Sequence, residues 1–288
     1  MTGARLGLLT ALAMVAFAAN SLLNRAALLD EGADPAAFAA VRLVAGAVAL
    51  WALVAWRGGI WWPDIRGGVA TAAMLALYAV GFSFAYVSIE AGAGALLLFG
   101  GVQLTILLAA LLAGERPTPL RWAGLGLALA GLVLLCWPAG DVALPPAGIA
   151  AMLAAAVGWG IYTLIGRGAA DPLRDTAGAF VLAMPLGLGV WALAGGGIDG
   201  SGILLAVISG AVTSGLGYAI WYAALPGMSR SAAGLVQLTV PVIAATAGAL
   251  FLAEIITGRI LGAAILVLGG VALGLWAGDQ RTSGSSGS

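Results

Sequence analysis

Lysine and histidine are missing from the chain, and cysteine occurs once, at Cys136. Without histidine there is no imidazole for proton transfer or metal ligation. One thiol allows neither an intrachain disulfide nor a cysteine-rich metal site. Charge of either sign is scarce: 12 arginines stand against 12 acidic residues, and charged residues are 8% of the chain. A soluble domain carries about 25%. The net charge is zero, so there is no electrostatic footprint for nucleic acid. No acidic residue falls in the middle of any candidate membrane span, so the usual carriers of an intramembrane proton relay are lacking. No nucleophile–base pair or metal-ligand set is present, which leaves no basis for an enzyme or a cofactor.

What is present is hydrophobic sequence, 62% of the chain. The stretch from Gly67 to Gly114 is apolar almost throughout and holds one charge, Glu90. The stretch from Gly202 to Ala253 is built the same way around Arg230. Each is too long for one bilayer crossing of about 20 residues, so each is expected to break at its charge into a helical hairpin. Segments rich in Pro, Gly and charge divide the chain into ten candidate spans: 6–28, 36–56, 66–87, 91–113, 119–137, 147–165, 176–194, 202–223, 230–252 and 258–277. The expectation is an all-α polytopic membrane protein of ten transmembrane helices with no extramembrane domain.

Arginine placement orients it. With the N-terminus in the cytoplasm, Arg5, Arg57, Arg66, Arg116, Arg121, Arg167, Arg174, Arg230 and Arg281 lie inside, and Arg25 and Arg259 outside. This is the positive-inside pattern. It predicts a multi-pass plasma membrane protein, in a bacterial inner membrane, with both termini cytoplasmic. The first apolar run carries Asn20, Asn24 and Arg25 and no small-residue cleavage site, and is expected to be a retained helix. The Ser/Gly tail 283–288 reads as an appended segment.

The halves repeat. Phe17-Ala-Ala-Asn20-Ser21-Leu-Leu-Asn24-Arg25 aligns with Trp159-Gly-Ile-Tyr162-Thr163-Leu-Ile-Gly166-Arg167, and Gly114-Glu115-Arg116-Pro-Thr with Ala253-Glu254-Ile-Ile-Thr. Residues 1–137 and 138–282 thus form two units of five crossings. Five is odd, so the second unit enters from the opposite side, an inverted repeat. In transporters of this design the substrate site lies near mid-membrane between the repeats.

Pro35 followed by Arg42, Gly114-Glu115-Arg116-Pro-Thr after the fourth span, Pro241 in the ninth and Ala253-Glu254 after it resemble the EamA-type repeats of the drug/metabolite transporter superfamily. The resemblance spans residues 5–278 and looks closest to bacterial exporters of aromatic and other neutral amino acids. It departs in two places: the seventh span lacks an arginine matching Arg42, and the fourth lacks a proline matching Pro241.

Candidate substrate-binding residues follow from helical spacing. Phe17, Asn20, Ser21 and Asn24 share a face of the first span; Trp159, Tyr162 and Thr163 share the matching face of the sixth. Tyr78, Phe82 and Tyr86 line the third span, Ser214, Tyr218 and Trp221 the eighth, Phe99 and Gln103 the fourth, and Gln237 the ninth. Most other tryptophans sit near span ends, as an interfacial belt would. Arg42, inside the second span, would pair with a substrate carboxylate, snorkel outward, or bond carbonyls of the first helix. Glu115 and Glu254 lie at helix ends near Arg116 and Arg259 and read as structural. Gly270-x-x-x-Gly274 and Gly124, Ala128 and Gly131 permit close helix approach, within one chain or in a dimer; monomer and homodimer stay open.

A chamber of Asn, Ser, Tyr, Trp and Gln suits a neutral or zwitterionic solute with an apolar side chain. The first span lacks the Glu of the small multidrug-resistance members, and Arg42 alone is a poor supply of charge for sugar phosphates. The expected function is export of small metabolites, amino acids including aromatic ones, by alternating access, through uncoupled facilitation or exchange. The alternatives are a multidrug exporter of neutral or weakly cationic hydrophobes and a non-transporting membrane scaffold.

Overall fold

The structure, a computed structural model, describes residues 3–29, 32–58, 63, 65–114, 118–137, 144–166, 170–228, 233 and 236–284, except the side chains of 65–67, 275 and 277–284. Arg230, Glu115, Arg116, Arg167, the side chains of Arg66 and Arg281, and residues 285–288 lie outside that description.

Among the described residues ten principal helices follow one another: α1 Gly3–Leu29, α2 Pro35–Gly58, α3 Ile65–Tyr86, α4 Ala91–Leu112, α5 Pro119–Cys136, α6 Pro146–Gly166, α7 Pro172–Ala194, α8 Gly200–Gly227, α9 Thr239–Phe251 and α10 Gly258–Gly284. Among the described residues, eight helices are long and apolar enough to cross a membrane, and two apolar helices, Thr239–Phe251 and Gly258–Gly274, are shorter. Helices suit this composition because a helix satisfies its own backbone where no water is present.

Most helix ends have local chemical causes. The expected break at Glu90 is there: α3 stops at Tyr86 and α4 starts at Ala91. Pro119 and Pro172 sit at helix starts, where a missing N–H is harmless, behind Thr118 and Asp171, which accept from Arg121 N and Arg174 N. The Asp171 cap starts α7 at Pro172, earlier than the expected 176. Asp199 caps α8 by accepting from Gly202 N at 2.6 Å and Ser201 Oγ at 2.8 and 2.9 Å. These bonds, the Gly202 amide first, hold its carboxyl below the usual carboxylate range.

The tenfold order of helices hides a regular packing. α3 packs on α6 and α1 on α8; α4 packs on α6 and α1 on α9; α3 packs on α7 and α2 on α8; α2–α7, α4–α9 and α5–α10 pair with each other. Exchanging each helix with the one five places on leaves this pattern unchanged. The glycines named above join α5 to α10 within the chain: a Cβ on Gly124 would stand 2.5 Å from the Gly270 carbonyl oxygen and 2.8 Å from Gly274 N.

Candidate functional site

The centre of the bundle is polar on one side and aromatic on the other. α1 turns Asn20, Ser21 and Asn24 inward, at 2%, 1% and 0% exposure. Opposite them, Ile208–Leu216 of α8 winds as a π-helix, a form that is rare and gathers at functional sites. Its hydroxyls close on Asn20: Oδ1 accepts from Ser209 Oγ at 2.8 Å, from Thr213 Oγ1, and from Ser214 Oγ at 3.4 Å. Asn24 is tied off separately, donating to Asn20 O at 3.2 Å and accepting from Ser83 Oγ at 2.8 Å. An amide buried in apolar surroundings needs such partners.

Trp159 of α6 anchors the aromatic side. Its ring centroid lies 4.8 Å from Tyr78, 5.3 Å from Tyr162 and 5.2 Å from Tyr218. Phe82 lies 5.2 Å from Tyr78, and Phe17 lies 5.7 Å from Tyr218. These are the separations at which rings attract beyond their buried area. Between the two sides is a cavity of about 20 Å³ lined by Phe17, Asn20, Ser21, Tyr78, Phe82, Leu98, Phe99, Trp159 and Tyr218. That is room for about one water molecule, too little for a solute.

Eight of the expected residues therefore meet around one cavity drawn from α1, α3, α4, α6 and α8. The others stand outside it. Tyr86 sends its hydroxyl to Ala91 O at 3.4 Å. Tyr162 donates to Thr176 Oγ1 at 3.3 Å, and Thr163 to Trp159 O at 2.7 Å. Trp221 packs edge-on to Phe17 at 5.9 Å. Gln237 donates to Ala233 O at 3.3 Å within its own helix segment. Gln103 is half-buried on α4, outside the lining, and Ser214 and Asn24 form the layer behind the wall. Leu98, Ser83, Ser209 and Thr213 went unforeseen. At 3.6 residues per turn Ser209 falls opposite Tyr218, so the period that found Ser214 could not find Ser209 and Thr213, which face Asn20 on a π-helical segment.

Arg42 neither snorkels nor reaches α1. It is 1% exposed, with Nε donating to Ser214 Oγ at 3.3 Å and Nη2 to Tyr78 Oη at 3.0 Å. Its Cζ lies 5.1 Å from the ring centroids of both Tyr78 and Phe82. Nη1 is buried without a hydrogen-bond partner. α8 is held against α2 here, since a Cβ on Gly210 would collide with the Arg42 carbonyl oxygen.

The two ends of the bundle differ. At one end Glu254 lies beside Arg25 rather than Arg259, at 3.6 Å. Its two oxygens accept from Ala91 N at 2.8 and 2.9 Å. Arg25 donates to Tyr86 O at 2.8 Å and Val87 O at 2.9 Å. Arg259 instead donates to Trp137 O at 2.9 Å. The α1–α2 and α7–α8 connections join here too, through Asp34 N to Gly197 O and Asp199 N to Gly32 O, both 2.8 Å. At the opposite end an open crevice of about 280 Å³ lies between α3, α6 and α7, edged by Thr71, Gly166, Arg174 and Asp175.

The EamA-like transporter family model matches residues 5–137 and 146–276. An uncharacterized protein of Pseudomonas aeruginosa is 50% identical over 269 residues, covering 92% of this chain and 93% of its own. A solved protein crystal structure is similar at TM-score 0.65 and 24% identity, covering 92% of this chain and 98% of its own, a likeness of fold.

Proposed function

This chain belongs to the EamA-like transporter family, a family of small-molecule transporters, and we propose that it exports amino acids, aromatic ones included, across a bacterial inner membrane. The observation that carries this reading is the cavity itself. Its wall offers the rings of Trp159, Tyr78, Phe82 and Tyr218 beside the neutral polar groups of Asn20 and Ser21, which suits a small apolar side chain with a polar head.

At about 20 Å³ the chamber holds no solute, so a transport cycle must open it. The bundle carries the asymmetry that alternating access needs: an end pinned by Glu254 and Arg25, and an end open at Arg174. With the termini in the cytoplasm, as arginine placement predicts, the pinned end faces outward. The packing that survives exchange of helices five apart supports two five-helix units threaded in opposite senses. The hairpins α3–α4 and α8–α9 are the moving parts in this reading. No carboxylate or histidine borders the cavity among the described residues, which supports facilitation or exchange without proton coupling. Cationic drugs fit this site worse, because the unneutralised Arg42 lies 5.1 Å behind two of its rings.

The direct test is uptake of labelled phenylalanine into proteoliposomes, competed by a panel of amino acids and dyes. Competition by aromatic and aliphatic amino acids is expected. Competition by cationic dyes alone would establish the multidrug alternative instead.

A further inference from the structure

Behind the cavity wall, one buried polar atom lacks a hydrogen-bond partner, and it is a donor. Arg42 Nη1 is buried with none. Tyr78 Oη already accepts from Arg42 Nη2, so its own proton is free to be donated. Asn20 Oδ1 is taken by the hydroxyls of Ser209 and Thr213. The hydroxyls of Ser21 and Tyr218 can serve either way. No carboxylate balances Arg42 within 4 Å among the described residues, and a buried charge without a counter-ion is costly. Two ring faces soften that cost, Tyr78 and Phe82, but a cation–π contact falls well short of an ion pair in a dry site.

We infer that the solute supplies the missing anion: Arg42 and Tyr78 form a receptor for a carboxylate, and the protein selects aryl or alkyl carboxylates for that group whether or not they carry an amine. This rests on the cavity being the transport site. Tyr78 and Phe82 lie between the guanidinium and the cavity, so the carboxylate reaches Nη1 when those rings part as the chamber opens. The apolar body of the solute then lies against Trp159 and Tyr218. An ammonium gains nothing here, because the wall offers it no carboxylate and places it near a like charge. A monoanionic acid such as 3-phenylpropanoate is therefore as good a ligand as phenylalanine, or better. Its neutral amide and the corresponding amine, phenethylamine, are poor ones.

The test is calorimetric titration of the full chain in detergent with 3-phenylpropanoate, 3-phenylpropanamide and phenethylamine. The acid is expected to bind about tenfold more tightly than the amide, or better, with no binding of the amine. Arg42→Gln removes the preference and Arg42→Lys keeps most of it. Equal binding of acid and amide, absence of binding by all three, or a preference that survives Arg42→Gln overturns the inference. If the Gln variant does not fold, the wild-type unfolding midpoint decides: it rises with the acid and not with the amide, and equal rises overturn the inference. Phenylalanine uptake separates this from the broader reading. Acid preference without phenylalanine transport removes amino acids as substrates and leaves the receptor standing. Phenylalanine transport without acid preference does the reverse.

Discussion

The guanidinium of Arg25 lies 3.6 Å from the carboxylate of Glu254, and the pair joins four helices at one point. Glu254, after α9, caps α4 through Ala91 N, while Arg25, near the end of α1, caps the last carbonyls of α3. A carboxylate at a helix N-terminus and a cation at a C-terminus are each favourable with the helix dipole. The contact is therefore a clasp, and opening that end requires breaking it.

Replacing Glu254 with Gln keeps the shape and removes the charge. Arg25 then lacks its counter-ion, and one capping oxygen becomes a donor. The expected loss is about 1–3 kcal/mol, read as a lower unfolding midpoint in detergent, with faster amide exchange at the start of α4. An unchanged midpoint would show that the clasp is decorative.

Glu90 sits beside this clasp, half-buried and outside the spans. Burial raises its carboxyl above the ordinary glutamate value, the Glu254 carboxylate adds to this, and Arg25 offsets part of it. A raised value in the fold means that its stabilising contribution is present below the ordinary glutamate value and is lost as pH rises through the raised one. Glu90→Gln is thus expected to gain stability relative to wild type as pH rises across that window. The effect is small, because the group is partly exposed. A midpoint difference that stays flat with pH contradicts it.

Trp159 touches two rings that line the chamber, Tyr78 and Tyr218, and Tyr162 behind it. Trp159→Leu keeps an apolar wall and deletes the stacking. Half-saturation for phenylalanine uptake is expected to rise about tenfold, with leucine uptake changed much less. Equal losses for both solutes would mean that the tryptophan supports the fold rather than the aromatic solute.

Much of this architecture was legible along the chain because its signals are local. Pro119 and Glu90 mark helix boundaries through effects within a turn, whereas the starts of α7 at Pro172 and α8 at Gly200 were expected later, at 176 and 202. Period 3.6 put Phe17, Asn20 and Ser21 on one face, and Tyr78 and Phe82 on another. Long-range partnership was not legible. Glu254 was expected to be structural at a helix end near Arg259, and nothing in its local sequence pointed to the residue 163 positions away that it caps. For Arg42 the sequence offered a substrate carboxylate, the surface or carbonyls of α1, and gave no sign of Ser214, which it bonds across 172 residues. The π-helix was not foreseen either: Gly210 and Gly215 weaken an ordinary helix over Ile208–Leu216, but the hydroxyl contacts to Asn20 that accompany the π winding are long-range.

Close packing of α5 on α10 gives a further check. A side chain at Gly270 would meet the Gly124 carbonyl oxygen at 2.5 Å and Ala128 N at 2.6 Å. Gly270→Leu is expected to cost about 2 kcal/mol or more, lowering the unfolding midpoint without altering the oligomeric state. A variant of normal stability but altered assembly would place the glycine stripe at an interface between chains.

Counterflow in proteoliposomes tests the central claim most directly. Vesicles holding the full chain and preloaded with unlabelled phenylalanine should draw in labelled phenylalanine transiently, at the same rate with and without a pH gradient. Uptake no greater than in protein-free vesicles would contradict the claim that this chamber carries amino acids, and uptake that vanishes with the gradient would contradict uncoupled exchange.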